Sequence, residues 1–353
     1  MNRLEKLRIH MRSENIDGLL ITSSSNLRYM THFTGTAGMA LVTNTDAVFI
    51  TDFRYTEQAR EQAKHYEVVE HKGSILDELA KQVERLRVER LGFEQEHVTF
   101  YTYEQYRKKL TSELVPTSNL IEKLRLVKDE SEIKRLKDAA KIADDAFEYI
   151  LSMIKPGISE RAVANELEFF MRKHGATSSS FDIIVASGTR SALPHGVASD
   201  KVIERGELVT LDFGAYYKGY CSDLTRTIAV GEPDHKLKEI YDIVLKAQKL
   251  AVAQIKPGMS GKEADAIARN YISDNGYGDY FGHSTGHGIG LDIHEGPTLS
   301  MKSTHLLEKG MVVTIEPGIY LSGVGGVRIE DDIVLTEHGN ERITYSPKDL
   351  IIL

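Results

Sequence analysis

The sequence predicts an α/β protein of two domains: a smaller N-terminal α/β domain over residues 1–123 and a C-terminal domain over residues 124–353. The chain has 353 residues and 41% hydrophobic content, which is enough for two cores. Helix and strand patterns alternate along the first third of the chain, as in α/β folds. In the remainder, a pattern of helix, turn, helix and hairpin occurs twice, which predicts two similar halves about a pseudo-twofold axis.

The N-terminal domain is predicted from short apolar and amphipathic segments. A helix is expected over residues 2–14 and another after Arg54, and strands are expected at GLLITS, DAVFIT and LGFE. The boundary is predicted near residue 124. Shortly after it, Asp129 and Glu132 have the spacing of a capping box in front of a long amphipathic helix.

The repeat in the C-terminal domain is visible in two pairs of segments. Residues 154–159, IKPGIS, recur as IKPGMS at 255–260, and proline and glycine there would end one helix and redirect the chain. Residues 204–217, ERGELVTLDFGAYY, recur as EKGMVVTIEPGIYL at 308–321. This alignment matches Asp212 with Glu316.

Each hairpin carries two acids where strand residues should be apolar. In the first, Asp212 and Asp223 flank the tight-turn signal Lys218-Gly219, and the register of such a turn puts both on one face, directly opposite or diagonal. In the second, Glu316 is followed by Glu330 after a loop that is three residues longer. The four acids are therefore expected to form two equivalent pairs facing a shared centre.

Four converging carboxylates would repel one another strongly unless a cation were bound between them. Oxygen ligands suit manganese, magnesium or calcium, and an added histidine shifts the preference toward manganese, cobalt or zinc. The segment HSTGHGIGLDIHEGP offers His283, His287 and His294 among glycines that allow close backbone approach. The pattern alone does not distinguish which of the three would bind a metal.

These motifs resemble a known family. HSTGHGIGLDIHE, LDFGAYYKGYCSD, TIEPGIY and GVRIEDD are together similar to segments of the metal-dependent proline peptidases, which comprise Xaa-Pro dipeptidase (prolidase) and Xaa-Pro aminopeptidase (aminopeptidase P). The resemblance covers essentially the whole chain. It implies a ribonuclease-H-like α/β fold for the N-terminal domain and the pita-bread fold for the C-terminal domain.

The resemblance also implies two divalent metal ions, with manganese expected and cobalt or zinc as alternatives. Asp223 and Glu330 would contact both ions, Asp212 would hold one of them, and His287 and Glu316 the other. A hydroxide bridging the ions would attack the peptide carbon. Glu316 would relay the proton toward the leaving nitrogen, as a general acid and base.

Further side chains are implied to act on the substrate or on the ligands. His283 and His294 would contact the substrate and stabilise the tetrahedral intermediate. His195, in ALPHG, would line the substrate pocket. Arg328 lies two residues before Glu330 on the same strand face, so it should pair with a ligand carboxylate. Tyr320 would either donate a hydrogen bond near the site or merely pack.

The favoured function is hydrolysis of Xaa-Pro dipeptides, and the alternative is Xaa-Pro aminopeptidase activity on longer proline-containing peptides. Methionine aminopeptidase is disfavoured by the additional N-terminal domain and by His283. A non-catalytic interaction module is disfavoured because all five presumed metal ligands are present. The sequence does not identify the physiological metal or the residue preferred before proline.

Composition narrows the expected partners and location. The formal net charge is -8 with both signs interspersed and without a basic block, so no nucleic-acid partner is expected. No apolar run reaches the ~18 residues of a membrane span. The single cysteine, Cys221, fits a reducing, cytoplasmic compartment and is expected to be a small strand residue. The resemblance implies a homodimer.

Overall fold

The structure is a computed structural model that describes residues 2–353. The chain divides into two compact units, Met1–Arg125 and Leu126–Leu353, which we call the N-terminal and C-terminal units. The division falls two residues beyond the limit expected from the sequence. Within residues 2–353, no helix combines the length and the apolar character needed to cross a membrane.

The N-terminal unit is a sheet of six strands with helices between them. The predicted strands at GLLITS, DAVFIT and LGFE are present as β1, β3 and β5, and the predicted helices are α1 and α3. The elements in chain order are α1 (Arg3–Ser13), β1 (Gly18–Ile21), α2 (Ser24–Thr31), β2 (Met39–Thr43), β3 (Ala47–Thr51), α3 (Thr56–Gln62), β4 (Glu67–Glu70), α4 (Ile75–Arg85), β5 (Arg90–Glu94), α5 (Phe100–Lys109), β6 (Glu113–Thr117) and α6 (Glu122–Arg125).

The sheet of this unit is mixed, with the strand order β4-β3-β2-β1-β5-β6. Strand β2 is antiparallel to both of its neighbours, whereas the β1–β5, β5–β6 and β3–β4 pairs are parallel. Strands β1 and β2 are buried along their whole length. They read as continuous apolar runs because the central strands of such a sheet are covered on both faces.

The C-terminal unit contains the two predicted halves. The first half consists of α7 (Glu130–Leu151), α8 (Glu160–Lys173), β7 (Ser178–Ser179), β8 (Ile184–Ser187), a 3-10 turn (Gly188–Ala192), β9 (Glu207–Phe213), β10 (Ala215–Tyr217), β11 (Tyr220–Cys221) and β12 (Leu224–Val230). The second consists of α9 (His235–Gln254), α10 (Gly261–Asp274), a 3-10 turn (Gly278–Tyr280), β13 (Gly286–Gly288), β14 (Glu295–Leu299), β15 (Val312–Ile315), β16 (Gly318–Leu321), β17 (Gly325–Arg328), β18 (Asp331–Leu335) and β19 (Asn340–Arg342).

Each half has its own helix pair and its own core. In the first, α7 and α8 pack against β8, β9 and β12, and in the second, α9 and α10 pack against β15, β17 and β18. The capping box predicted at the start of α7 is confirmed, since Asp129 accepts from the Glu132 amide. Ser159 and Ser260, which close the two IKPG segments, cap α8 and α10. The repeated turns therefore serve the fold.

The first hairpin has the register predicted from its turn. Lys218 and Gly219 have φ values of 49° and 87°, as a type I′ turn requires. Asp212 lies opposite Thr225, so Asp223, two residues earlier on the same strand face, is its diagonal neighbour. Of the two arrangements expected from the sequence, the diagonal one is present.

The second hairpin has a different geometry. Ile315 lies opposite Asp331 and Gly318 lies opposite Arg328, and this shared register puts Glu316 directly opposite Glu330. The sequence spacing between the two acids is three residues longer in the second hairpin than in the first. One of these residues lengthens the loop, and the other two come from the change from a diagonal to a directly opposite pair.

The expectation of two equivalent acid pairs is therefore wrong. By register, the counterpart of Glu330 in the first hairpin is Thr225, and the counterpart of Asp223 in the second is Arg328. The four matched positions thus hold three acids and one arginine where four acids were expected, and Glu330 lies two residues beyond that arginine. This exchange introduces a cation among the carboxylates.

Gly214, between β9 and β10, allows the first hairpin to close. A Cβ atom there would lie 1.8 Å from the Ser222 carbonyl oxygen, which belongs to the partner strand. We expect Gly214→Ala to lower the free energy of unfolding by about 1–3 kcal/mol or more, since backbone must move apart. Chemical denaturation measures this. Gly339→Ala, where nothing lies within 4 Å of the added atom, is the matched control, and equal midpoints for the two variants would contradict the argument.

Candidate active site

One cavity of about 800 Å³ in the C-terminal unit brings together all eight side chains expected at the site. The cavity opens between the two hairpins and the segment that contains the three clustered histidines. The expected residues that line it are His195, Asp212, Asp223, His283, His287, His294, Glu316 and Glu330. Phe181, Ile184, Pro194, Val197 and Ile293 add an apolar wall.

Three carboxylates form the centre of the cavity. Asp212, Asp223 and Glu330 each direct one oxygen to a common point, with these oxygens within 4.8 Å of one another. All three residues are buried. They converge because β12 and β17–β18 lie side by side: the Glu330 amide donates to the Thr225 carbonyl, and the Thr227 hydroxyl donates to the Arg328 carbonyl.

His287 extends this group toward Glu316. Its Nε2 lies 3.3 Å from Glu316 Oε1 and 3.7 Å from Asp223 Oδ2. Its Nδ1 lies 3.0 Å from the Gly288 carbonyl oxygen, which can only accept, so Nδ1 carries the proton. Burial lowers the pKa of His287 to about 4, so the Nε2 lone pair faces two carboxylates at neutral pH. Such an arrangement is relieved either by a proton on one carboxyl or by a cation between these atoms.

The carboxylates themselves are electrostatically unfavourable in the absence of a cation. Burial raises the pKa of Asp223, and repulsion from Glu330 and Asp212 raises it further. Burial likewise raises the pKa of Glu330, with added repulsion from Glu316. Burial raises the pKa of Glu316 to about 8. Asp223, Glu330 and Glu316 therefore tend to keep a proton at pH values above the ordinary pKa of a carboxyl group.

Arg328 supplies one positive charge to this group. Its Nη2 donates to Asp212 Oδ2 at 2.5 Å, which confirms that it pairs with one of the four carboxylates. Its Nε donates to the Thr225 hydroxyl, and that hydroxyl donates to Glu330 Oε2 at 2.6 Å. One guanidinium thus orients two of the carboxylates through a fork of fixed donors.

Tyr320 connects Arg328 to His283. The Tyr320 hydroxyl accepts from Arg328 Nη1 at 2.9 Å and lies 2.7 Å from His283 Nε2. Since His283 Nδ1 is 2.8 Å from the Ser284 carbonyl oxygen, Nδ1 carries the proton and Nε2 accepts from Tyr320. Tyr320 therefore donates a hydrogen bond within the site, the first of the two roles considered for it. Burial lowers the pKa of His283 to about 4.

His195 and His294 have exposed side chains at the cavity wall. The His294 ring packs edge-on against His287, with centroids 4.5 Å apart. The adjacent Glu295 is fixed by Lys128, whose Nζ lies 3.2 Å from Glu295 Oε2 in a buried ion pair. Because their side chains are exposed, His195 and His294 can both reach a molecule in the cavity. His283 differs, since both of its ring nitrogens form hydrogen bonds within the protein.

Sequence reasoning missed Thr225 and Asp332. Asp332 is fully buried, and its Oδ2 accepts from the Asp223 amide at 3.0 Å. Strand alternation could have found both residues, because each lies two positions from an expected ligand. Thr225 orients the Glu330 carboxylate, and Asp332 fixes the backbone that carries Asp223.

The donor set fits divalent metal ions. Asp212 Oδ1 and Glu330 Oε1 are buried and accept no hydrogen bond from any residue between 2 and 353. Unpaired buried oxygens of this kind are costly unless a ligand satisfies them. Four carboxylates and one imidazole nitrogen are the ligand types that manganese, cobalt and zinc accept. The residues are thus suited to binding divalent metal ions.

Comparison with known proteins identifies the family. Residues 134–337 match metallopeptidase family M24, and residues 3–127 match the creatinase/prolidase N-terminal domain. The chain belongs to metallopeptidase family M24. The predicted family and the predicted fold class, an N-terminal α/β domain followed by a pita-bread domain, are therefore confirmed, and divalent metal ions are the cofactors of this family.

Whole-chain relatives agree with this assignment. The uncharacterized peptidase YqhT of Bacillus subtilis is 64% identical over 99% of this chain and 100% of its own. The structure of an Xaa-Pro dipeptidase from Bacillus anthracis has a TM-score of 0.99 at 64% identity and covers 99% of both chains. That of an X-Pro aminopeptidase from Thermotoga maritima has a TM-score of 0.91 at 41% identity, covering 98% of this chain and 100% of that one.

The raised carboxyl pKa values predict how the metal-free protein responds to pH. The folded state binds protons more tightly than the unfolded state between the ordinary value of 4.5 and about 8 for Glu316. The bound proton stabilises the folded state fully at pH values below this range, and this stabilisation is lost as the pH rises through the range. We expect the free energy of unfolding of chelator-treated protein to fall by about 2 kcal/mol between about pH 6.5 and about pH 8, whereas below pH 6.5 the lowered pKa values of His283 and His287 act in the opposite direction.

Urea denaturation across this pH range, with and without manganese, measures the effect. Manganese should reduce the slope because it replaces the protons. Glu316→Gln should also reduce the slope, whereas Glu308→Gln, at an exposed glutamate, should keep it. A metal-free protein that becomes more stable as the pH rises from about 6.5 to about 8 would contradict the electrostatic account of the site.

Proposed function

We propose that the protein is a peptidase that hydrolyses Xaa-Pro bonds with two divalent metal ions, manganese being favoured, and that Xaa-Pro dipeptides are its preferred substrates. The observation that carries this proposal is the cluster of four carboxylates and one imidazole at the base of a cavity with an apolar wall. Similarity to an Xaa-Pro dipeptidase over nearly the whole chain supports the choice of substrate.

The proposed metal ligands are five side chains in two groups that share members. Asp212 would hold one ion and His287 with Glu316 the other, while Asp223 and Glu330 would contact both. The proximity of His287 Nε2 to both Glu316 and Asp223, and the separate convergence of Asp223 with Asp212 and Glu330, support this division. When bound, such ions would supply positive charge and Lewis acidity to the carbonyl under attack.

Glu316 is the proposed proton carrier. The nitrogen of a peptide bond leaves as an amine, so the leaving proline must receive a proton when the bond breaks. Glu316 faces the cavity, so its carboxylate could take a proton from the attacking water and pass it to the leaving nitrogen. Its Oε1 accepts from the Thr314 hydroxyl at 3.1 Å, which fixes the direction of the carboxyl group.

The histidines are proposed to bind the substrate around the carbonyl. His195 and His294, with exposed rings at the cavity wall, can donate to a peptide oxygen as it gains charge. His283 would do so only after exchanging its hydrogen bond from Tyr320, so its nearer role is to hold the Tyr320 hydroxyl against Arg328. The proline ring would lie against the apolar wall.

Xaa-Pro aminopeptidase activity on longer peptides is the second candidate. It is favoured by the similarity to the X-Pro aminopeptidase of Thermotoga maritima, whose whole chain is matched. Both activities need the same metal ligands, so the difference would lie in whether the cavity accepts a residue after proline. The homodimer and the cytoplasmic location expected from the sequence stay predictions.

Peptide hydrolysis tests the proposal. We expect chelator-treated protein with added manganese to cleave Ala-Pro, and the same protein without metal to be inactive. Ala-Pro-Ala and Met-Ala-Ala are the matched comparisons, with free amino acids as the readout. Cleavage of Ala-Pro-Ala at the Ala-Pro bond would establish the aminopeptidase. Release of methionine, or no turnover with any divalent metal, would overturn the proposal.

Asp223 offers a sharp test of the shared-ligand arrangement. Asp223→Asn removes a carboxylate proposed to contact both ions, so we expect activity to fall by at least about 1,000-fold and bound metal to fall, while the fold is retained. Turnover, metal content and circular dichroism measure these. Asp234→Asn makes the same chemical change at the exposed N-cap of α9, where asparagine caps equally well, and should be silent. Full turnover by Asp223→Asn would remove Asp223 from the mechanism.

A further inference from the structure

The segment that carries His195 is held to the protein by a carboxylate outside the cavity. We call residues 188–199 the His195 loop; it follows β8 and contains a short 3-10 turn. The His195 ring is exposed, so its position depends on the anchoring of the loop backbone. Exposed loops without such anchors sample many conformations.

Glu160, the first residue of α8, joins both ends of this loop. Its side chain is 0% exposed. Oε1 accepts from the Ser187 amide at 2.8 Å and the Ser187 hydroxyl at 2.9 Å. Oε2 accepts from the Ser199 amide at 3.1 Å and the Ser199 hydroxyl at 2.6 Å. One buried carboxylate thus binds the residue just before the loop and the last residue of the loop.

Arg190 ties the middle of the loop to the same carboxylate. Its Nε donates to Glu160 Oε2 at 3.0 Å, and its Nη2 donates to the Val197 carbonyl at 2.8 Å. Burial alone would raise the pKa of Glu160, but hydrogen bonds from Ser199, Ser187 and Arg190 outweigh it and lower the pKa. The carboxylate is therefore ionised at neutral pH, and its hydrogen bonds are the stronger, charge-assisted kind.

The opposite side of the loop rests on the second hairpin. The Gly326 amide donates to the Ser191 hydroxyl at 2.8 Å, and Arg328 Nη1 donates to the Pro194 carbonyl at 3.2 Å. Since Arg328 also binds Asp212, these contacts relate the backbone next to His195 to the carboxylate cluster. Glu160 therefore closes the side of the loop that the hairpin leaves free.

The second half of the repeat holds another histidine in a comparable way. Asp265, on α10, accepts from the Thr285 amide and hydroxyl at 3.1 and 2.8 Å, and its partner Arg269 donates to the His283 carbonyl at 2.7 Å. In both halves, a buried acid on the second helix and an arginine fix a segment that contains a histidine. The repeat alignment does not pair the two acids, because Glu160 corresponds to Gly261.

We propose that Glu160 is a positioning residue for substrate binding: through Ser187, Arg190 and Ser199 it fixes the His195 loop so that His195 faces the substrate beside the carboxylate cluster. This role rests on the proposed function, since it assumes that His195 contacts a peptide in the cavity. Glu160 itself does not touch the substrate. Its effect should therefore pass through His195 and should leave the bound metal unchanged.

Glu160→Gln tests the proposal, because the amide keeps the shape of the side chain but loses its charge and one of its acceptor oxygens. We expect amide hydrogen exchange in residues 188–199 to become at least ~10-fold faster, the effect of losing about one charge-assisted hydrogen bond. We expect kcat/KM for Ala-Pro to fall by about 10- to 100-fold at unchanged metal content. In a His195→Ala background, Glu160→Gln should change kcat/KM by less than about 2-fold.

Glu263→Gln is the matched control. Glu263 is an exposed acid at the start of α10 that accepts from the Ser260 amide and hydroxyl, so it makes the same kind of contacts without holding a loop. It should alter neither exchange in residues 188–199 nor activity. If Glu160→Gln does not fold, Ser199→Ala removes the 2.6 Å contact to Glu160 together with the 3.2 Å hydrogen bond from the Lys201 amide, and faster exchange confined to the loop is expected.

Two results would overturn the proposal: unchanged exchange in residues 188–199, or an equal effect of Glu160→Gln with and without His195. Hydrogen exchange needs no turnover, so it separates this proposal from the proposed function. If the unaltered protein cleaves no Xaa-Pro peptide, the function fails and so does the role of His195 in it. If the loop still loosens in Glu160→Gln, Glu160 would then be only a structural anchor of the loop.

Discussion

Repulsion among buried carboxylates is the constraint on which the C-terminal unit depends. Two unit charges at about 4 Å repel by roughly 4 kcal/mol in a partly screened protein environment, and burial adds to this cost. Asp212, Asp223 and Glu330 bring three charges within 4.8 Å, and Glu316 approaches them through His287. Arg328 offsets part of the repulsion at Asp212. The remainder favours a site occupied by divalent cations, so the stability of this unit and its proposed chemistry depend on the same charges.

A second buried cluster of charged side chains, in which the charges are paired, supports this arrangement. Arg226, fully buried, donates to Asp331 Oδ1 at 2.7 Å and also binds the carbonyls of Thr225 and Glu330. Asp331 further accepts from Gln248 and Lys348. Burial would raise the pKa of Asp331, but Arg226 and Lys348 outweigh it and lower the pKa. Adjacent residues along the chain therefore differ in environment. The Glu330 side chain faces the cavity with its charge largely uncompensated, while the Asp331 side chain faces the core with its charge paired.

Local patterns were sufficient for much of the fold and the site. The turn at Lys218-Gly219 and the alternation of strand side chains put Asp212 and Asp223 on one face, and the structure has them there as diagonal neighbours. The capping box at Asp129 could be predicted from the sequence because this motif depends on two residues that lie three positions apart. The equivalence of the two acid pairs failed because the spacing between acids reflects both loop length and register. Counting residues gives only the sum of loop length and register shift, so the pairing of Arg328 with a ligand carboxylate could be predicted but not its match to the position of Asp223.

The sequence by itself determined the faces of the hairpins, the starts of the helices and the motifs that assign the family, because all of these depend on neighbours along the chain. It thereby determined which residue types could meet. Only the tertiary structure decided which distant groups do meet. Arg328 binds Asp212, Thr225 bridges to Glu330, and Glu160 reaches Ser199 from the start of a helix. These contacts join different sheets and helices, and they depend on how those elements pack. Side-chain periodicity fixes the face on which a residue lies, but packing against another element decides its partner.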